Sequence, residues 1–139
     1  MNQKEFDQVN VFGTGKPNTA YAKYFVGDSY LNLLTKPGDP IAIANVTFTP
    51  GCRNNWHIHQ AKSGGGQILI CTAGEGYYQE EGKPVVALKP GMVITIPAGV
   101  KHWHGATATS YFSHLAFEVP GEETSTEWLE PVKSELYPD

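Results

Sequence analysis

Residues 51–74 read Gly51-Cys52-Arg53-Asn54-Asn55-Trp56-His57-Ile58-His59-Gln60-Ala61-Lys62-Ser63-Gly64-Gly65-Gly66-Gln67-Ile68-Leu69-Ile70-Cys71-Thr72-Ala73-Gly74, and the rest of the chain is read outward from them. Asn55 to His59 reads as a strand. Side-chain direction repeats every two residues in a strand, so His57 and His59 project from one face. Gln60 to Gly66 carries three consecutive glycines, which a strand interior does not tolerate, and reads as a mobile loop. Gln67 then opens a second strand. His102 follows the turn Pro97-Ala98-Gly99, so antiparallel neighbours can bring third and fourth donors to the pair. Three neutral imidazoles suit Zn, Ni, Fe or Mn. The plain alternative for a single His-x-His is two half-exposed histidines on a polar face. Against it stands the distribution: all five histidines lie between residues 57 and 114, in the groups His57/His59, His102/His104 and His114.

Outward from this segment, Gly and Pro punctuate the chain. Clusters such as Lys36-Pro37-Gly38-Asp39-Pro40, Thr49-Pro50-Gly51, Glu80-Glu81-Gly82-Lys83-Pro84 and Lys89-Pro90-Gly91 separate short alternating segments. Expected strands are 21–26, 30–35, 41–48, 55–59, 67–72, 76–79, 84–88, 92–96, 102–106 and 111–119. This rhythm predicts an all-β sandwich or barrel and excludes a parallel α/β fold. One helix is expected, over Thr124 to Leu129, where Thr124 and Glu127 have capping-box spacing and Pro131 sets the limit. At 139 residues with 40% hydrophobic side chains, the chain builds its own core as one domain. The formal charge of -4, with no Lys/Arg cluster, argues against a nucleic-acid partner. No apolar run has the length of a membrane span, and the first ten residues lack the apolar centre of a secretory signal. The expectation is a cytoplasmic protein whose Cys52 and Cys71 are reduced, buried thiols.

Two spacings carry a family resemblance. Gly51, five residues, His57-Ile-His59, then Gln67, six residues, Gly74 resembles the first motif of the cupin superfamily. Gly91, five residues, Pro97-Ala-Gly99, two residues, His102 resembles the second, and sixteen residues separate the motifs. The resemblance implies a small double-stranded β-helix, or jelly roll, with metal ligands His57, His59, Gln67 and His102. The sequence departs from the general pattern in three places. Gln67 stands where Glu is usual, and the gap from His59 to Gln67 is long enough to make Gln60 a rival amide. Ala106 occupies the place of a common Asn. A set of three imidazoles and one amide leaves a divalent ion its full formal charge, making it a stronger Lewis acid than a set with a carboxylate would.

Trp56-His57-Ile-His59, Lys101-His102-Trp103-His104-Gly105-Ala106 and Ser113-His114-Leu115-Ala116 are together similar to the small monocupins that include the R-selective, manganese-dependent hydroxynitrile lyases. That likeness implies Mn as the ion, with Fe, Ni or Zn as alternatives, and cleavage or formation of a cyanohydrin C–C bond. It makes His104 and His114 the catalytic histidines near the substrate and Ala44 and Val46 pocket residues. Strand parity adds Glu118, which shares a face with His114 and Ala116. The competing expectations are an Fe-dependent dioxygenase or decarboxylase-type cupin, and a non-catalytic small-molecule binding domain. The expected layout is an N-terminal β extension over 1–40, the barrel over 41–120 and a C-terminal tail over 121–139. Ile68 and Ile70 point outward and need cover, which the aromatic segment Tyr21 to Leu34 is expected to supply. A homodimer is expected, and a small molecule is the only other partner.

Overall fold

The computed structural model describes residues 1–138. It is built almost wholly of antiparallel strands in two main sheets. The first runs Lys16–Pro17, Ser29–Leu33, Ala42–Phe48, Phe112–Glu118, Gln67–Gly74, Val93–Ile96 across six strands. The second runs Val86–Leu88, Gly76–Glu80, His102–Ala106, Arg53–Asn54, Phe25–Val26, with His57–Gln60 paired to His102–Ala106 on one side and to Ser125–Trp128 on the other.

Burial along Gln67–Gly74 alternates strictly, with Gln67, Leu69, Cys71 and Ala73 buried, as expected of a strand with one face toward a core. The main core lies between the sheets. Phe48, Leu69 and Phe112 from the first meet Cys52, Tyr78, Leu88 and Ala106 from the second. Fully burying a side chain such as Phe48, Leu69 or Leu88 contributes about 2 kcal/mol. A smaller cluster of Trp56, Trp103 and Val132 holds the C-terminal segment, with Leu129 and Tyr137 packed against it.

Three expectations need correction. Thr124 to Leu129 is not helical: Ser125–Trp128 is a strand pairing residue for residue with His57–Gln60. The helix lies instead at Gln3–Val9, closed by a capping box in which Asn2 accepts from the Glu5 N–H and Glu5 accepts from the Asn2 N–H. Phe6 is its one buried residue, so no apolar stripe advertised it. The segment after His59 is not a free loop, because Ser63–Gly64 pairs with Gly121–Glu122. Its glycines are needed for that course: Gly64, Gly65 and Gly66 all have positive φ, and a Cβ on Gly66 would collide with the Ile96 carbonyl oxygen. Finally, the aromatic N-terminal segment does not lie over Ile68 and Ile70. Ala22–Tyr24 forms a 3-10 turn, and Ser29–Leu33 extends the first sheet beside Ala42–Phe48. Tyr21, Phe25, Leu31 and Leu33 consequently join the wall of the inner cavity.

Candidate metal centre

Register places the site. His57 lies opposite His102 on one neighbouring strand and opposite Trp128 on the other, while His59 lies opposite Thr126. Aligned positions share a face, so the His57 ring sits 4.2 Å from that of His102 and 4.6 Å from that of Trp128, centroid to centroid. In the first sheet Glu118 is opposite Gln67, and His114 is opposite both Cys71 and Val46. The two inward faces enclose a cavity of about 710 Å³, a size that suits a small organic ligand.

Ala44, Val46, His57, His59, Gln67, His104, His114 and Glu118 all line this cavity. His102 does not reach its wall and stands behind His57, fully buried. Sequence reasoning missed several lining residues, among them Asn54, Thr126, Trp128 and Tyr21. Thr126 and Trp128 alternate with polar neighbours along a strand, which is the signal that outweighs the capping-box spacing of Thr124 and Glu127. Asn54 carries no signal of its own, since an Asn between Arg53 and Asn55 reads as turn.

Hydrogen bonds fix which ring nitrogens are free. The Nδ1–H of His57 donates to the Asn55 carbonyl oxygen at 2.8 Å, and that of His102 donates to the Val100 carbonyl oxygen at 2.9 Å. Each Nε2 then carries a lone pair directed inward, an arrangement common to metal-binding histidines. The His102 Nε2 is buried and has no hydrogen-bond partner among the described residues. His59 Nε2 lies 3.2 Å from Gln67 Oε1. The Gln67 amide is oriented by its other end, because Nε2 donates to Glu118 Oε1 at 2.7 Å and so turns Oε1 toward the histidines. Gln60, the rival amide, is exposed and donates to Glu127 Oε1 at 2.9 Å.

His57, His102 and His104 present ring nitrogens that all lie within 4.8 Å of one another. An unpartnered buried imidazole lone pair inside such a group fits a divalent transition ion. His59 and Gln67 stand next to this group, with the His59 ring 5.2 Å from those of both His57 and His102.

Burial keeps these imidazoles neutral. Desolvation first, and then the neighbouring His102, hold His57 well below the usual histidine range. His102 is pushed down to about 4, chiefly by desolvation. His114 is likewise lowered to about 4 by its complete burial. His104 is held well below its ordinary value by desolvation, followed by the His114, His57, His102 and His59 rings around it. Neutral rings at physiological pH are what metal ligation and proton acceptance both require.

His104 and His114 form a pair behind the ligand group, with His114 Nε2 3.0 Å from His104 Nδ1. Neither thiol takes part: Cys52 and Cys71 are free and buried, and burial pushes them up to about 12 and about 11.

Comparison with known proteins agrees with this geometry. Residues 44–117 match the cupin domain family, Cupin_2. The chain is 41% identical over 132 residues to an (R)-mandelonitrile lyase of Granulicella tundricola, covering 94% of this chain and 98% of the relative. Among solved structures, a cupin-like protein of Thermotoga maritima superposes with a TM-score of 0.78 at 36% identity, covering 91% of this chain and 93% of that one. A DMSP lyase of Ruegeria pomeroyi shares the fold, with a TM-score of 0.62 at 22% identity over 84% of this chain and 57% of that one.

Proposed function

The chain belongs to the cupin domain family, and we propose that within it the protein is a manganese-dependent lyase that cleaves, and in reverse forms, the C–C bond of a small cyanohydrin. The observation that carries the reading is the buried His104–His114 pair, which lines the same largely apolar cavity as His57, His59 and Gln67. Proton transfer to a neutral imidazole is thereby set beside a site for an oxygen ligand. The 41% identity to a relative named for this reaction supports the same conclusion.

In this reading His57, His59, Gln67 and His102 hold the ion. When bound, a divalent ion supplies Lewis acidity that lowers the pKa of a hydroxyl beside it. The residues do the rest. Val46 and Ala44, with Leu31, Leu33 and Trp128, give the organic substituent an apolar wall and exclude water. His104 takes the hydroxyl proton as the carbonyl forms and the C–C electron pair departs with cyanide. The His104 proton then passes to cyanide, leaving aldehyde and hydrogen cyanide, and the imidazole returns to its neutral form. His114 holds His104 in orientation by accepting its Nδ1–H.

Kinetics of variants test the assignment. His104→Ala should lower kcat by roughly 100-fold or more with the metal content intact, a typical contribution of a positioned base. Loss of the metal together with turnover would make His104 a ligand instead, and unchanged turnover would remove it from the reaction.

A further inference from the structure

The three histidines of the ligand set are not held alike. His57 and His102 each donate from Nδ1 to a backbone carbonyl two residues back, that of Asn55 or Val100, so each is fixed by its own stretch of chain. His59 has no such bond among the described residues. Its Nδ1 meets a side chain instead, the Thr126 hydroxyl at 3.4 Å, on the neighbouring strand where Thr126 stands directly opposite His59. His59 is 7% exposed, so a ring nitrogen without a partner would be costly.

Contacts on the far side of the ring explain why a hydroxyl, and not a carbonyl, suits this place. The Glu118 carboxylate only accepts, so Gln67 turns Nε2 to it at 2.7 Å and presents Oε1 to His59. Oε1 lies 3.2 Å from His59 Nε2, and a direct hydrogen bond between them needs the ring proton on Nε2. Nδ1 then accepts, and Thr126 must donate. Ligation needs the opposite arrangement, with Nε2 bare, the proton on Nδ1 and Thr126 accepting. A carbonyl oxygen serves only the second arrangement, whereas a hydroxyl has a proton to give and lone pairs to receive. We infer that Thr126 is a positioning residue for His59: its hydroxyl holds the ring at Nδ1 in both tautomers and so lets the proton leave Nε2 when that nitrogen ligates. The inference rests on the reading of His59 and Gln67 as ligands. No net charge changes in the exchange.

The test uses 15N-labelled protein, metal-free and loaded with Zn(II). Long-range 1H–15N spectra at neutral pH should show His59 protonated on Nε2 in the metal-free protein and on Nδ1 in the loaded one. His57 and His102 should carry the proton on Nδ1 in both. Thr126→Val keeps the branched shape that suits a strand but removes the hydroxyl. Once thermal denaturation shows it folded, its Zn(II) affinity should be lower by at least ~10-fold in competition with a chromophoric chelator, the scale seen when a ligand's supporting partner is lost. Thr126→Ser should restore it. Wild-type affinity in Thr126→Val, or an equal loss in Thr126→Ser, would overturn the inference. So would a His59 protonated on Nδ1 both with and without Zn(II). His59→Ala tests the underlying ligand reading and should lose at least as much affinity as Thr126→Val. If His59→Ala binds Zn(II) as the wild type does, the ligand reading and the inference both fall; if it loses Zn(II) while Thr126→Val keeps it, only the role of Thr126 falls. None of these readouts needs turnover, so a protein that shows them and cleaves no cyanohydrin would uphold Thr126 and reject only the lyase reading.

Discussion

His102 is wholly buried, and its Nε2 has no hydrogen-bond partner among the described residues. A buried polar atom left in that state costs about 1–3 kcal/mol, so completing its valence stabilises the fold. A divalent ion bound by His57, His59, Gln67 and His102 should therefore raise the thermal midpoint in proportion to the logarithm of its free concentration. His57→Ala and His102→Ala should abolish both the ion and that rise, as read by metal analysis and calorimetry. Gln67→Ala should weaken the ion's affinity by at least ~10-fold, the scale seen when a supporting group is lost, while Gln60→Ala should leave it unchanged. The reverse result would assign the amide to Gln60. The histidines also set a pH dependence. His102 and His114 fall from the ordinary value of 6.5 to about 4 in the folded metal-free chain. Between those values the unfolded chain takes up protons that the folded chain refuses. Stability is thus fully present above pH 6.5 and lost as pH falls toward 4, by about 3 kcal/mol for each of these two groups. Urea denaturation of metal-free protein across that window should show the fall, and His114→Gln should remove part of it. Spacing singled out His57, His59 and His102 in the sequence as candidate ligands, and the structure groups His57 and His102 with His104. Asn54 was not legible, because its contact with the His104 backbone joins residues fifty positions apart.

Among the elements, the strand Ser125–Trp128 ties the C-terminal segment to His57–Gln60, the strand that carries two candidate ligands. Trp128 lies between two rings, with centroids 4.5 Å from Tyr24 and 4.6 Å from His57, so it both covers His57 and links it to the N-terminal segment. Trp128→Ala should destabilise the protein by about 2 kcal/mol, toward the low end for a large-to-small change because the ring is only partly buried. It should also weaken metal binding, since the His57 ring loses the face that holds it. Unaltered metal affinity in a destabilised variant would show that the stacking is structural only. The sequence misled here for an identifiable reason: Thr124 and Glu127 satisfy a helix-start spacing, while Thr126 and Trp128 satisfy a strand alternation, and the open edge of His57–Gln60 decided between them. The same kind of tertiary partner orders Ser63–Gly64 through Gly121–Glu122. The central strands of the barrel were legible to within a residue or two because their alternation is reinforced by turns at both ends.

For the molecule as a whole, the inner face of the first sheet is accounted for by the site, and its outer face is covered unevenly. Near the helix Gln3–Val9, Asn10 donates to Thr47 Oγ1 and accepts from Asn45, and Thr47 bonds Ser113, which seals that end. Farther along, Val93, Ile70 and Leu115 align across three strands, with Ile68 and Phe117 in the adjoining row, and Val93 is 58% exposed. We propose that a second copy of the chain covers this row. Light scattering coupled to gel filtration should give a dimer for the wild type and a monomer for Val93→Lys combined with Ile68→Glu; a wild-type monomer would contradict it. No described helix is long and apolar enough to cross a membrane. The proposed lyase needs the ion and the His104–His114 pair together to break a cyanohydrin C–C bond, with no oxidant. The decisive experiment follows aldehyde release from (R)-mandelonitrile under strict exclusion of O2, with protein loaded with Mn(II), stripped of metal, and reloaded. The loaded and reloaded protein should cleave it, the stripped protein should show nothing above background, and admitting air should change nothing. Aldehyde release that survives metal removal, or a metal-loaded protein that is inert toward cyanohydrins yet consumes O2 with an organic substrate, would contradict the proposal.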